Sequence, residues 1–175
     1  MIAEDKLERF EKSILPQMDA AYNLARWLTR SDVDAQDVVQ EAYLRAFKFF
    51  AGFRGGDSRS WLLRIVRNTC YTWIGKNRRG EVKMTTEEEA LDLTSDAATP
   101  DEVLLQKADS KSLHQAIEEL PLEFRETLVM RELEGMSYKE IADVADLPLG
   151  TVMSRLARAR RLLRQRLLNQ PGGKG

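Results

Sequence analysis

The sequence predicts an all-α protein in which two small helical domains are joined by a flexible acidic linker. Three observations predict this fold class. Apolar residues recur at spacings of three and four along most of the chain, and the helix-favouring residues Glu, Lys and Arg carry much of the charge. One internal segment lacks any sustained period. We therefore place the first domain at residues 1–79, the linker at 80–105 and a second, four-helix domain with a helix-turn-helix at 106–170.

The first domain begins with two predicted helices. Leu7, Phe10 and Ile14 recur at three-to-four spacing and form the apolar stripe of the first helix. Pro16 suits the first position of the second helix, because its fixed φ is already helical and its missing N–H is not needed there. The apolar face of that helix continues to Leu28.

A third helix is predicted over residues 34–50, with Phe49 on its broad buried side. The stretch GFRGGDS that follows holds three glycines within five positions, which predicts a loop. Ser58 or Ser60 then caps a fourth helix, because serine is among the preferred N-cap residues. The first domain is therefore predicted to consist of four helices.

The charge of the chain is strongly segregated, although its net value is only -1. Residues 1–79 hold 14 basic against 10 acidic side chains, residues 80–109 hold 2 against 9, and residues 110–175 hold 11 against 9. The last 25 residues carry seven basic groups and no acid. This pattern points to nucleic acid at both ends. The acidic middle segment is predicted to be an extended linker, with a plain solvated spacer as the alternative.

Composition also excludes several classes of protein. No stretch approaches the roughly 18 apolar residues of a membrane span, and the N-terminus is charged, so we expect a cytoplasmic protein without membrane insertion. A single Cys70 excludes an internal disulfide, and with His114 as the one histidine a Cys/His zinc site is not expected. We expect no cofactor, no metal and no enzyme activity, since no phosphate loop, nucleophile arrangement or carboxylate pair is present.

Near the C-terminus the spacing predicts a helix-turn-helix. Ser137 and Glu140 form a capping box that starts a short helix. Residues 146–148 force a turn, and a longer basic helix follows from Thr151. A short helix, a tight turn and a long basic helix in this order are typical of DNA-binding helix-turn-helix units.

The long C-terminal helix has an apolar and a basic face. Its predicted buried stripe consists of Val152, Leu156, Ala159, Leu163 and Leu167. The residues turned outward are then Met153, Ser154, Ala157, Arg158, Arg161 and Arg164. In a DNA major groove the first turns of such a helix reach the base edges, and later arginines meet phosphates. A merely solvated surface helix is the alternative interpretation.

Three ordered segments resemble bacterial RNA polymerase sigma factors of the small two-domain, extracytoplasmic-function group. They read DVVQEAYLRAFKFF, FRGGDSRSWLLRIVRN and LPLEFRETLVMRELEGMSYKEIADVADLPLGTVMSRLARARRLL. The resemblance covers nearly all of residues 5–168. It implies a subunit that binds core RNA polymerase, directs it to specific promoters and stabilises the melted minus-ten region to initiate transcription.

The resemblance also implies protein partners. The helix at residues 34–50 would dock on the clamp helices of the largest polymerase subunit, through Asp37, Gln40, Glu41 and Arg45, whose spacing places them on one exposed face. The flap of the second-largest subunit is a further implied contact. The acidic linker would thread the active-site and RNA-exit channels of the polymerase, where negative charge can mimic RNA. An anti-sigma factor is the expected regulator.

The segment at residues 52–79 is implied to capture the unpaired strand of the minus-ten element. Single-stranded DNA requires a basic track for phosphates and platforms for bases. The expected contact residues are Phe53, Arg54, Arg59, Trp61, Arg64, Arg67, Asn68 and Tyr71. Asn68 matches the base-contacting asparagine of the family. Trp61 lies four residues before Ile65, and for this tryptophan a place in the core is the favoured alternative.

The helix-turn-helix is implied to read the duplex minus-thirty-five element. The expected contact residues are Thr151, Met153, Ser154, Arg155, Ala157, Arg158 and Arg161. Arg158 suits a bidentate contact with guanine. Met153 departs from the family, in which many relatives have a basic or polar residue here. Because a thioether donates no hydrogen bond, Met153 either recognises thymine methyl groups or only fills space.

One rival hypothesis is an autonomous helix-turn-helix regulator whose first domain senses a ligand or dimerises. Such a regulator would bind as a dimer to two half-sites about one helical turn apart, without polymerase. The sequence shows no dimerisation heptads and no evident ligand pocket. The sigma-factor hypothesis is therefore favoured.

Overall fold

A computed structural model describes residues 2–77 and 109–169. Within these two ranges the chain is helical and contains no strand, which confirms the predicted all-α class. Two compact units are distinguished: Met1–Val82 with Lys139–Asp146, and Lys83–Tyr138 with Leu147–Gly175. The predicted linker at 80–105 lies outside the described residues, and the domain boundaries drawn from the sequence stay predictions.

Residues 2–77 of the first unit form four long helices and two 3-10 turns. They are α1 (Ile2–Ile14), a turn at Leu15–Gln17, α2 (Met18–Thr29), α3 (Asp32–Phe49), a turn at Phe50–Gly52 and α4 (Ser58–Asn77). Helix α2 packs against both α3 and α4. Pro16 lies in the 3-10 turn rather than at the first position of α2, because its fixed φ suits this tighter turn equally well.

Helix α3 begins two residues earlier than its apolar pattern predicted. Ser31 caps it: the Ser31 hydroxyl oxygen accepts a hydrogen bond from the Asp34 N–H at 3.2 Å. At the other end Phe49, predicted to be buried, is exposed, and Phe50 is buried instead. The reason is the change of period where α3 ends, since the 3-10 turn directs Phe50 towards the ring of Phe10, with centroids 5.3 Å apart.

The cap of α4 is Asp57, so the prediction of Ser58 or Ser60 was wrong. The Asp57 carboxylate accepts the Ser60 backbone N–H at 3.1 Å and the Ser60 hydroxyl at 2.6 Å. Gly55 and Gly56 precede it with φ of 87° and 89°, a backbone conformation that favours glycine. Desolvation raises the pKa of Asp57, but the hydrogen bonds from Ser60, together with Glu140 and the charge of Arg59, outweigh it, and the pKa lies below its ordinary value.

The remaining helices are α5 (Ser110–Glu118), α6 (Leu122–Leu128), α7 (Tyr138–Ala145) and α8 (Leu149–Asn169); a π-helical turn at Val129–Leu133 extends α6. Asp109 caps α5 by accepting the Ser112 N–H at 2.8 Å. The buried Arg125 donates to the carbonyl oxygens of Glu118 and Leu120, at 3.2 and 2.7 Å. It thereby satisfies acceptors that the end of α5 leaves without helical partners.

A short helix, a turn and a long helix follow one another in the order that the sequence predicted. Helix α7 begins at Tyr138, directly after Ser137. Asp146 has a φ of 57°, which reverses the chain. The Pro148 carbonyl then accepts the N–H groups of Thr151 and Val152, at 3.0 and 3.2 Å, so that α8 already begins at Leu149, two residues before the predicted start.

Candidate nucleic-acid interface

The buried stripe predicted for α8 is confirmed. All five residues are buried: Val152, Leu156, Ala159, Leu163 and Leu167. They pack α8 against α5 and α6. Burial of this stripe fixes which side chains of α8 face outward, and Met153 is 51% exposed.

Three arginines of α8 form ion pairs with glutamates of the segment that includes α5 and α6. The pairs are Arg155 with Glu123 at 3.8 Å, Arg160 with Glu132 at 2.5 Å, and Arg166 with Glu119 at 3.4 Å. These contacts hold α8 on its unit in addition to the apolar stripe. They place Arg155, a predicted DNA contact, on the side of α8 that faces α6.

The other residues of α8 that were predicted to contact DNA or to face outward are at least partly exposed. Met153 is exposed, and partly exposed are Thr151, Ser154, Ala157, Arg158, Arg161 and Arg164. The Ser154 hydroxyl donates to the Thr151 carbonyl at 3.2 Å. Residues 147–169 contain no Asp or Glu, so this surface combines small polar and apolar groups near the start of α8 with positive charge further along.

Four predicted contacts come together on the outer side of α4. Arg64 and Asn68 are exposed one helical turn apart. The Arg67 guanidinium carbon lies 3.8 Å from the centroid of the Tyr71 ring, and Arg67 Nη1 donates to Asn68 Oδ1 at 3.5 Å. The cation–π contact and the hydrogen bond of Arg67 thus fix its position between Tyr71 and Asn68, in a patch that combines basic, aromatic and amide side chains.

The predicted contacts Phe53 and Trp61 belong to an aromatic cluster. Their ring centroids are 5.1 Å apart, and Phe53 stacks on the buried Phe50 at 5.6 Å. Trp61 also contacts Phe50 edge-on at 6.1 Å. This half-buried tryptophan therefore packs with the core aromatics, as the favoured interpretation of its spacing predicted.

Two arginines of α4, Arg59 and the exposed Arg64, lie beside carboxylates. Arg59 Nη2 is 3.2 Å from Glu140 Oε2, and Arg64 Nη2 is 3.9 Å from Asp146 Oδ2. Both acids belong to the segment Lys139–Asp146, which is part of the same compact unit. Arg59 is about one third exposed and Arg64 about one half.

A cleft of about 510 Å³ lies between α1 and the loop after α3. Its lining residues are Arg9, Lys12, Ser13, Phe50, Ala51, Phe53, Arg54 and Gly55. The lining thus holds three cationic side chains and no acid. Sequence reasoning found Phe53 and Arg54 but missed Arg9 and Lys12, because the helical period of α1 shows only that these residues face away from its stripe.

The exposed face of α3 carries the residues predicted to meet polymerase. Asp37, Gln40 and Glu41 are exposed, and Arg45 Nη2 lies 3.7 Å from Glu41 Oε1. Two apolar side chains share this helix surface and were missed by the sequence reasoning: Val33 is 68% and Leu44 is 62% exposed. The sequence could have revealed them, because both residues lie outside the predicted buried stripe of α3.

The described ranges 2–77 and 109–169 contain no helix that combines the length and apolarity needed to cross a bilayer. Nor do those ranges hold a group of three His, Cys, Asp or Glu side chains arranged for a metal ion. The buried Cys70 lies in α4, and His114 lies on the exposed surface of α5, 3.1 Å from Glu118.

Comparisons with known proteins match both ends of the chain. The family model of sigma-70 region 2 matches residues 17–80, and that of sigma-70 region 4 matches residues 110–163. The RNA polymerase sigma-H factor of Pseudomonas aeruginosa is 38% identical over 134 residues, which cover 73% of this chain and 69% of that protein. The ECF RNA polymerase sigma-E factor of Haemophilus influenzae is 32% identical over 151 residues, 82% and 79% of the two chains.

Solved structures show the same fold. The sigma factor RpoE of Bartonella quintana, solved in complex with the anti-sigma factor NepR, is similar with a TM-score of 0.69 and 23% identity, over 94% of this chain and 99% of that one. CnrH, solved with the cytosolic domain of CnrY, is similar with a TM-score of 0.60 and 25% identity, over 94% and 91%.

Proposed function

The chain belongs to the sigma-70 family, in its extracytoplasmic-function group, and on that premise we propose which surfaces carry out each step of promoter recognition. As a sigma factor it binds core RNA polymerase, directs it to promoters and stabilises the melted minus-ten region. It is not an enzyme: the polymerase forms the phosphodiester bonds. The sigma factor contributes binding free energy that shifts an equilibrium towards open promoter.

The exposed face of α3 is the proposed docking surface for the polymerase clamp helices. Asp37, Gln40, Glu41 and Arg45 offer charge and hydrogen bonds. The exposed Leu44 adds apolar area that would leave water on docking, as expected at the centre of a stable protein interface. The acidic segment at 80–105 is proposed to thread the polymerase channels, and the flap is proposed as a second contact.

The outer side of α4 and the cleft at α1 are proposed to hold the unpaired minus-ten strand. Asn68 would hydrogen-bond a base edge, and Arg67 with Tyr71 would provide a stacking surface. Arg54, Arg59 and Arg64 would neutralise phosphates, and Arg9 and Lys12 would extend this track beyond the residues predicted from sequence. Such contacts favour melted over paired DNA, because bases inside a duplex cannot reach them.

The first turns of α8 are proposed to enter the major groove of the minus-thirty-five element. Thr151, Met153, Ser154, Ala157 and Arg158 would lie nearest the bases, with Arg161 on the phosphates. For Arg155 we propose a positioning role, since its ion pair with Glu123 helps to hold α8 on its unit.

We also propose an anti-sigma partner and action in the cytoplasm. The similar structures of RpoE and CnrH were solved with NepR and with the cytosolic domain of CnrY, the first of which is named as an anti-sigma factor. A partner of this class would cover the surfaces that bind polymerase. The cytoplasmic location follows from the place where RNA polymerase works.

One observation carries the proposed function: a single chain presents two surfaces that contain arginine. The first is the patch of arginine, amide and aromatic side chains on α4, and the second is the acid-free outer face of α8. The test is in vitro transcription from genomic fragments with purified core polymerase. We expect initiation at discrete sites that share an upstream and a downstream element, and only when the chain is added. Absence of both core binding and specific transcripts would overturn the proposal.

The purified chain, core polymerase and DNA fragments also test the rival hypothesis of an autonomous regulator. A dimeric helix-turn-helix regulator binds duplex DNA tightly without polymerase, whereas a sigma factor gains specific binding with it. Electrophoretic mobility shifts with and without core polymerase distinguish these outcomes. The relatives favour the sigma factor, since the chain covers most of the length of proteins with that name.

A further inference from the structure

Three apolar side chains form a strip along the exposed start of α8. Leu149, Met153 and Ala157 follow one another at intervals of four residues, so that each lies beside the next on the helix surface. Leu149 is 49% and Met153 is 51% exposed, and Ala157 is partly exposed. The strip is about 12 Å long, which corresponds to roughly three to four base pairs.

The chemistry of this strip is unusual for a helix that reads DNA. None of its three side chains is a normal hydrogen-bond donor, and only the methionine sulfur is a weak acceptor. Among the groups that base pairs present in the major groove, the thymine 5-methyl is the apolar one. An exposed thioether is also flexible and polarizable, which suits close contact with a methyl group.

Charge identifies the occupant of the strip as DNA rather than a second protein. Residues 147–169 contain no acid, and Arg158 and Arg161 are partly exposed on the same helix. A polyanion that covers the strip is attracted by this acid-free helix and its arginines.

We propose that Leu149, Met153 and Ala157 read the 5-methyl groups of thymines in the upstream duplex element. This inference rests on the proposed function of α8. It assigns the specificity of the first turns of α8 to methyl contacts, with Arg158 reading a neighbouring guanine. The strip therefore prefers A·T pairs of defined orientation, because a methyl group marks only the thymine strand.

The test removes single methyl groups from the DNA. Promoter fragments obtained from the transcription experiment are made with deoxyuridine in place of each thymine of the upstream element, on either strand. Binding is measured with the complete holoenzyme. Wild type should lose about fourfold in affinity for each contacted methyl group, and Met153→Ala should bind thymine and uracil DNA with nearly equal affinity at the one thymine that Met153 contacts. Leu168→Ala, an exposed leucine near the other end of α8, should keep the wild-type ratio.

The outcomes are distinguishable. If holoenzyme recognises the upstream element but no thymine-to-uracil change alters its affinity, the methyl proposal is wrong and the proposed function stands. If Met153→Ala weakens binding to both DNAs by the same factor, the strip supports structure or contacts a protein, and the methyl proposal is again wrong. If wild-type holoenzyme shows no sequence preference at the upstream element, the proposed function of α8 itself is contradicted.

Discussion

Asn68 is the side chain that we propose to contribute most to minus-ten recognition. It is exposed on α4 beside the stack of Arg67 on Tyr71. We expect Asn68→Ala to weaken promoter opening about tenfold, since a base edge loses a hydrogen-bond partner worth about 1–3 kcal/mol. Permanganate reactivity of unpaired thymines measures opening, and fluorescence anisotropy of labelled chain measures association with core polymerase, which should not change.

The control for this variant is Asn23→Ala, which removes an exposed asparagine from α2. It should leave opening and polymerase association at wild-type values. An equal loss of opening and association in Asn68→Ala would contradict the assignment of this residue to DNA.

Arg158 and Arg161 are expected to differ in what they contribute to duplex binding. Arg158 lies nearer the start of α8, where base edges are reached. Arg158→Ala should reduce discrimination at one base pair of the upstream element by about 1–3 kcal/mol. Arg161→Ala should weaken binding uniformly across sequences and lower the salt dependence by about one ion. Affinities for a set of single-base variants at several salt concentrations check both; identical profiles would refute the distinction.

Sequence reasoning identified individual side chains well where helical period alone decides their exposure. From the period of α8 it turned Met153 outward, and Met153 is exposed. It did not foresee that Arg155 pairs with Glu123, because the two residues are 32 positions apart in sequence and meet only when α8 packs on α6. Contacts of this kind depend on packing angles that no local pattern contains.

Helix caps determine how rigidly the loops at the interface are held. Asp57 fixes the start of α4 next to Gly55 and Gly56. Asp57→Ala should cost about 1 kcal/mol in the free energy of unfolding at pH 7. Because hydrogen bonds from Ser60 leave the pKa of Asp57 below its ordinary value, this contribution is complete above the unfolded pKa of about 4 and disappears as pH falls through the lower folded pKa.

Urea unfolding at a series of pH values measures this difference between wild type and Asp57→Ala. Asp143→Ala, which removes an exposed aspartate within α7, serves as the control and should show little loss at any pH. If the loss of unfolding free energy in Asp57→Ala becomes larger as the pH falls, the Asp57 carboxylate does not stabilise the fold in its charged form. That result would contradict the cap.

The apolar stripe of α8 packs on its unit and thereby holds the face that we propose to read DNA. Leu163 is 1% exposed, whereas Leu168 on the same helix is 60% exposed. Leu163→Ala should cost about 2–5 kcal/mol through lost burial and a residual cavity, and Leu168→Ala should cost less than about 0.5 kcal/mol. Thermal unfolding followed by circular dichroism compares them. Similar losses in the two variants would show that the stripe is assigned to the wrong face.

Helices were predicted more reliably than their ends. The stripe of α8 and the start of α7 agree with the sequence pattern, because burial follows the helical period and capping boxes act locally. The start of α4 was missed, because the sequence analysis considered only Ser58 and Ser60, whereas Asp57, which follows the glycines of the loop, is the cap. The cleft beside α1 was missed since it forms only when α1 and the loop after α3 come together.

The two units of the chain carry the surfaces that are proposed for two forms of promoter DNA, unpaired and duplex. The first unit carries the patch proposed for unpaired DNA and the docking face proposed on α3, and the second unit carries α8, which is proposed to bind duplex DNA. Because both DNA surfaces belong to one chain, binding of either raises the effective concentration of the other. Mutations in a DNA surface should therefore change promoter choice, whereas mutations in the docking face should change the amount of holoenzyme.

This difference gives a prediction for the complete chain. Leu44→Asp places a charge where an exposed apolar side chain is proposed to be buried against polymerase, and should raise the Kd for core polymerase at least tenfold, since burial of leucine is worth about 1.5–3 kcal/mol. Transcription should then fall by one common factor at every promoter and recover as the sigma concentration is raised, because only holoenzyme formation is impaired. Leu15→Asp, at another exposed leucine of the same unit, should leave the Kd unchanged. A defect that differs among promoters, or that persists at saturating sigma, would place Leu44 outside the docking face.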